Sequence, residues 1–148
     1  MKTYVILNLK GGVGKTTSVV NLGYSMAVLG KKILLIDADP QTNLTPFFTK
    51  ANPNGRNVRD VFRNPERIEN IICKSKYENI DIVKGSTELK EDDAKPEKTL
   101  SDALQLVKNK YDVCLIDTRP AIESITKNAL YAADSFVTPV LLDNFCRD

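Results

Sequence analysis

Apolar residues in this chain fall into short unbroken runs, separated by stretches in which they recur every three or four positions. Thr3–Leu9 (TYVILNL) is the first run, and its β-rich content predicts a strand. From Thr16 to Leu29 the period changes. Val19, Val20, Leu22, Met26, Ala27 and Leu29 recur at helical spacing, and Gly30 supplies a helix-ending signal. Lys32–Ile36 (KILLI) is apolar without polar alternation and runs into Asp37, the pattern of a parallel strand covered on both faces. Asp39-Pro40-Gln41 then breaks the chain into a loop, and residues 42–57 are predicted to be irregular. Val58–Phe62 and Ile68–Ile72 read as short helices, and Ile80–Val83 as a strand. Ser86–Asp93 is polar and reads as a loop or a short exposed helix. Leu100, Ala103, Leu104 and Val107 mark a helix, Asp112–Ile116 a buried strand ending at Asp117, Ile122–Ala133 a helix and Phe136–Leu142 a last strand.

Strands alternating with helices imply right-handed crossovers and an α/β fold: a mostly parallel sheet with helices on both faces, in three layers. Such sheets bind ligands beyond the carboxyl ends of their strands. The loop after the first strand, Asp37–Gln41 and Asp117–Ala121 all fall there. The 148 residues suit one domain with one core, taken as residues 1–148. The last predicted strand runs almost to Asp148 with no helix after it, so the domain is expected to be incomplete at its C-terminal side.

Composition narrows the chemistry. The chain is 42% hydrophobic and 27% charged, which excludes disorder throughout. A net charge of +2 neither demands nor excludes a nucleic-acid partner. No apolar run approaches the roughly 20 residues of a membrane span, and the N-terminus carries no cleavable signal pattern, so a cytoplasmic location is expected. Cys73, Cys114 and Cys146 form no CxxC pair and are expected to be reduced, with Cys114 filling the core. There is no histidine. That removes Ser-His-Asp and Cys-His nucleophiles and any imidazole base. Catalysis would have to rest on carboxylates, lysines, backbone amides and a metal.

The loop Lys10–Thr17 (KGGVGKTT) joins a strand to a helix and is the strongest chemical signal. Gly11, Gly12 and Gly14 let successive N–H groups, including that of Val13, turn toward one anion. The helix N-terminus adds its partial positive charge. Lys15 can reach the β- and γ-phosphates of a nucleotide, the Thr16 hydroxyl can ligate Mg²⁺, and Thr17 is placed toward the α-phosphate. The strict GxxxxGK[ST] count fails, because Leu9 stands at its first position. KGGVGKTT resembles the deviant Walker A motif of the ParA/MinD superfamily of ATPases, whose extra lysine precedes the glycines, here Lys10. The resemblance implies ATP as ligand, a P-loop NTPase fold, and Lys10 crossing a dimer interface to the phosphates held by the other subunit.

Two aspartate loops extend the resemblance. Asp37-Ala38-Asp39-Pro40-Gln41 is similar to the DxDPQ segment of ParA-type proteins. It implies that Asp39 positions the attacking water and borders the metal, while Asp37 supports the metal shell or the loop. Asp117, after Val113–Ile116, is in the Walker B arrangement and would hold Mg²⁺ directly or through water. Arg119 stands where the family usually has the first of two prolines. It reads as a solvated arginine, with an approach to phosphate as the alternative. Asn8 fits the family's N-x-K lead-in or an ordinary strand-end polar residue. Asp134–Val140 also resembles the family's strand after the second switch.

The DPQ segment favours the ParA branch. What that implies is an ATP hydrolase with Lys10, Lys15 and Asp39 in catalytic roles, Gly11–Thr17 around the phosphates, and Thr16, Asp39 and Asp117 around Mg²⁺. It also implies an ATP-dependent homodimer, a ParB-like centromere-binding partner that stimulates slow hydrolysis, and non-specific DNA binding in a longer form, with the protein then on the nucleoid. The alternatives are a nucleotide-binding switch without turnover, a MinD-like positioning ATPase, for which no C-terminal amphipathic helix is visible, and a small-molecule kinase.

Overall fold

The computed structural model describes residues 1–50 and 55–142. Within them, six strands form one sheet: β1 (Lys2–Ile6), β2 (Ile33–Asp37), β3 (Cys73–Lys74), β4 (Ile80–Val83), β5 (Val113–Asp117) and β6 (Ser135–Val137). Their order is β3-β4-β2-β5-β1-β6. Every pair is parallel except β3–β4, a two-residue antiparallel edge. Among the described residues, six α-helices accompany them: α1 (Lys15–Val28), α2 (Thr45–Phe48), α3 (Val58–Arg63), α4 (Ile68–Ile71), α5 (Thr99–Gln105) and α6 (Ser124–Ala132). The expected three-layer α/β architecture is present.

The unbroken apolar runs are explained by two separate covers. Ile33 and Leu35 of β2, Leu115 of β5 and Ile80 and Ile82 of β4 pack with Val19 and Ala27 of α1 and Phe48 of α2. The alternating positions Leu34, Ile36, Cys114, Ile116 and Val83 pack on the other face with α3, α4, α5 and α6. Successive strand side chains point to opposite faces, so a strand buried on both sides needs no polar alternation. Burial drives the Cys114 thiol pKa upward, as befits the expected core position.

Three local differences from the sequence pattern stand out. Residues 45–48 of the stretch expected to be irregular form α2. Cys73–Lys74 adds the antiparallel edge, which is too short for periodicity to register. The last strand covers Ser135–Val137 rather than 136–142, because only Tyr4, Val5 and Ile6 of β1 pair with it. Cys146 lies outside the described residues. Among those described, no helix is long and apolar enough to cross a membrane.

Parallel pairing places the ends of β1, β2 and β5 side by side, with Ile6 opposite Asp117 and Asp117 opposite Asp37. A single pole of the sheet therefore collects the loops that carry the candidate chemistry.

Candidate functional site

A cleft of about 640 Å³ opens at this pole. Gly11, Gly12, Gly14, Lys15, Thr16 and Thr17 line one side, and Asp39, Gln41 and Arg119 face them from the loops after β2 and β5. Three loops far apart in sequence thus share one cavity, as their strand-end positions required.

The phosphate loop owes its shape to two glycines. Gly12 and Gly14 hold φ of +73° and +87°, a region that costs a residue with a Cβ on the order of 1 kcal/mol or more. Gly14 is also the N-cap of α1, with no side chain capping the first turn. Those first N–H groups are the helix's unsatisfied donors, and they add to the helix dipole at the cleft. Val13 is buried and does not line the cleft, so only its backbone is available to a ligand there.

Lys15 is 8% exposed, and its Nζ donates to the Lys10 carbonyl at 3.1 Å. The ammonium is therefore held at the loop by the loop's own backbone. Lys10 is anchored in turn, its N–H donating to Asn8 Oδ1 at 2.8 Å, while Asn8 Nδ2 donates to the Pro139 carbonyl at 2.9 Å. Asn8 thus ties the start of the loop to the chain after β6, a role stronger than that of an ordinary strand-end residue. The Lys10 side chain does not line the cleft of this single chain.

Two carboxylates lie at 0% exposure beneath the loop, and they differ in what they bond. Asp37 Oδ2 accepts from Thr45 N–H at 2.9 Å and Thr45 Oγ1 at 2.6 Å, and its Oδ1 lies 3.4 Å from Asp39 N. Thr45 Oγ1 also accepts from Gly85 N–H at 2.8 Å. A Cβ at Gly85 would come within 2.8 Å of the Asp37 carboxyl, so only glycine fits against it. Asp37 therefore anchors α2 and the loop after β4, the loop-supporting role of the two expected for it. Burial raises its pKa despite these bonds.

Asp117 accepts from Thr16 Oγ1 at 2.6 Å through Oδ2, while Oδ1 is buried with no partner. Burial pushes its carboxyl up to about 7; the charges of Asp37 and Asp39 add to this, and the Thr16 bond and Lys15 oppose it. An orphaned buried carboxylate oxygen beside a hydroxyl is costly in the bare protein and is relieved by a cation. One carboxylate and one hydroxyl, with phosphates supplying other ligands, is a donor set that suits Mg²⁺. The residues present fit the metal.

Asp39 is 7% exposed and lines the cleft, with its Oδ1 accepting from Gln41 N–H at 2.9 Å. Arg119 is partly solvated, as the sequence reading has it, and also borders the cleft. Its side chain is 40% exposed and lies 3.4 Å from Glu91 Oε1. Thr45, Gly85 and Glu91 are the site-supporting residues that the sequence pattern did not single out. None belongs to a phosphate motif; Thr45 meets Asp37 from eight positions away, Gly85 meets Thr45 from 40 and Glu91 meets Arg119 from 28.

The family model described as an AAA domain matches residues 1–148. The chain is 39% identical over 155 aligned residues to the sporulation initiation inhibitor protein Soj of Bacillus subtilis, covering 99% of this chain and 61% of that protein. It is 38% identical over 145 residues to the virulence plasmid ParA family protein pGP5-D of Chlamydia psittaci, covering 93% of this chain and 56% of the relative. Among solved structures, the Cyanothece McdA(D38A)–ATP complex superposes with a TM-score of 0.87 at 28% identity, over 95% of this chain and 56% of that one. The chain therefore spans little more than half the length of the proteins it matches.

Proposed function

The chain is a ParA/Soj-like member of the ParA/MinD family, and from that premise we propose that it is a partition ATPase that binds ATP and Mg²⁺ in the cleft beyond β1, β2 and β5. The observation that carries this reading is the Asp117 carboxyl, bonded to Thr16 on one oxygen and orphaned on the other, beside the uncapped N-terminus of α1. The names of the relatives support the partition role, and the McdA–ATP complex supports the nucleotide.

The residues divide the work as follows. The backbone from Gly11 to Thr16 and the Lys15 ammonium hold the phosphates. Thr17 lies toward the α-phosphate. Thr16 and Asp117 hold Mg²⁺, with Asp39 bordering it. When bound, Mg²⁺ neutralises phosphate charge and fixes the phosphate geometry. Asp39 accepts a hydrogen bond from the attacking water and orients it. Lys10 acts across a homodimer that forms on ATP binding, where its charge stabilises the partner's transferring phosphate. Hydrolysis is slow and is stimulated by a ParB-like centromere-binding partner. The ATP dimer holds DNA non-specifically through surfaces of a longer chain, which puts the protein on the nucleoid within the cytoplasm.

Titration with a fluorescent ATP analogue, with and without Mg²⁺, tests the reading. Binding should need Mg²⁺ and be lost in Lys15→Ala. Equal binding by Lys15→Ala would remove the phosphate loop from the account. Light scattering should show ATP-dependent dimers that Lys10→Ala fails to form.

A further inference from the structure

Arg119 and Glu91 form a contact that the phosphate motifs do not account for. Arg119 lies two residues past Asp117, in a loop whose start is pinned by Thr118 Oγ1 donating to the Ile6 carbonyl at 3.0 Å. It lines the same cleft as Lys15, Thr16 and Asp39. Its Nη1 lies 3.4 Å from Glu91 Oε1. A well-formed guanidinium–carboxylate bond is about 2.7–2.9 Å, so this pair is a loose one. A guanidinium carries five donors in a planar fork suited to phosphate oxygens.

Glu91 is held independently of Arg119. Its Oε2 accepts from Ile125 N–H in the first turn of α6 at 2.8 Å. Behind it, Asn128 of α6 is fully buried. Its Oδ1 accepts from Leu100 N–H at 2.9 Å, and its Nδ2 donates to the Ala94 and Pro96 carbonyls at 2.6 and 3.1 Å. Glu91 therefore sits on a rigid base and can lose Arg119 without losing its place.

We infer that Arg119 exchanges its Glu91 partner for the terminal phosphate of bound nucleoside triphosphate, and so distinguishes triphosphate from diphosphate. The side of the cleft decides which phosphate. Arg119 and Asp39 both reach the cleft from the strand ends facing the loop, and with Asp39 in the water-orienting role proposed above, they border the terminal phosphate. Glu91 is the resting partner that holds the guanidinium when that phosphate is gone. This inference rests on nucleotide binding as proposed above.

The test measures affinities for fluorescent ATP and ADP analogues with Mg²⁺, in wild type, Arg119→Ala, Arg119→Lys and Glu91→Gln, with folding checked by circular dichroism. Arg119→Ala should weaken ATP about tenfold, the scale of a lost charge-assisted hydrogen bond, and leave ADP within about twofold. Arg119→Lys should recover part of the ATP loss, because it keeps the charge without the fork. Glu91→Gln retains an acceptor for Ile125 N–H but removes the competing charge, so ATP affinity should rise about two- to threefold. Equal losses for ATP and ADP in Arg119→Ala, or none for either, overturn the inference and leave nucleotide binding standing. A fall in ATP affinity in Glu91→Gln overturns the partner exchange. Absence of ATP binding by the wild type removes both readings together.

Discussion

The ends of β2 and β5 lie in register, Asp37 opposite Asp117, and both carboxylates are fully buried. Their bonding differs. At the β2 end, the bonds to Thr45 and the Asp39 amide reach both carboxyl oxygens, and Gly85 closes over the group. At the β5 end, one oxygen takes Thr16 and the other takes nothing. Burial and position are thus the same for a carboxylate bonded on both oxygens and one with an oxygen left over. What separates them is unspent hydrogen-bonding capacity, which the fold satisfies in one place and leaves open in the other, where the proposed Mg²⁺ would bind.

The largest expected break in this comparison is Asp117→Asn. It should cost roughly 100-fold or more of the Mg²⁺-dependent part of ATP affinity, since loss of even an outer-shell partner costs about 10–100-fold. Its folding stability should not fall, and nucleotide titration with paired urea melts reads both. Asp37→Ala should do the reverse. Leaving the Thr45 groups unpaired in the interior should lower stability by about 2–3 kcal/mol, visible as a lower urea midpoint at unchanged slope. Gly85→Ala should cost about 1–3 kcal/mol through the forced contact with Asp37.

The hydroxyl partners sharpen the same contrast at smaller scale. Thr45→Val should lose about 1–2 kcal/mol of stability with ATP affinity unchanged. Thr16→Val should leave stability within about 1 kcal/mol but weaken Mg²⁺-dependent binding about tenfold. The smallest effect is on pH dependence. Without Mg²⁺, the folded state holds the Asp117 proton up to about pH 7, whereas the unfolded chain releases it near pH 4. Folded protein binds more protons in that window, so stability contributed by this group is full below about pH 4 and is lost as pH rises through about 7. Asp117→Asn should flatten the fall without abolishing it, because Asp37 is shifted in the same direction. An unchanged pH slope in Asp117→Asn would remove Asp117 as its source.

Much of the cleft is legible in the sequence. Lys15, Thr16 and Asp39, and Asp117 buried beside Thr16, are marked by short-range context: glycines before a helix, and acids at the ends of apolar runs. The parallel sheet was legible for the same reason, since Ile33–Ile36 and Cys114–Ile116 admit no solvent face. Helix α2 was not, because four residues are too few for a period to show. Thr45 is an unremarkable threonine until Asp37 meets it from eight positions away. Arg119 read as solvated because a sequence does not show that Glu91, 28 positions earlier, stands beside it.

By itself, then, the sequence determined which groups this protein can bring to a phosphate: the amide-rich loop, its lysine, and acids at strand ends. Backbone geometry and strand burial are local consequences of residue type, so spacing suffices to read them. Tertiary structure alone decided which acid is spent and which is available. It did so because satisfying a buried carboxylate depends on the partners the fold delivers, Thr45 to Asp37, itself held by the Gly85 amide, and Thr16 to one oxygen of Asp117.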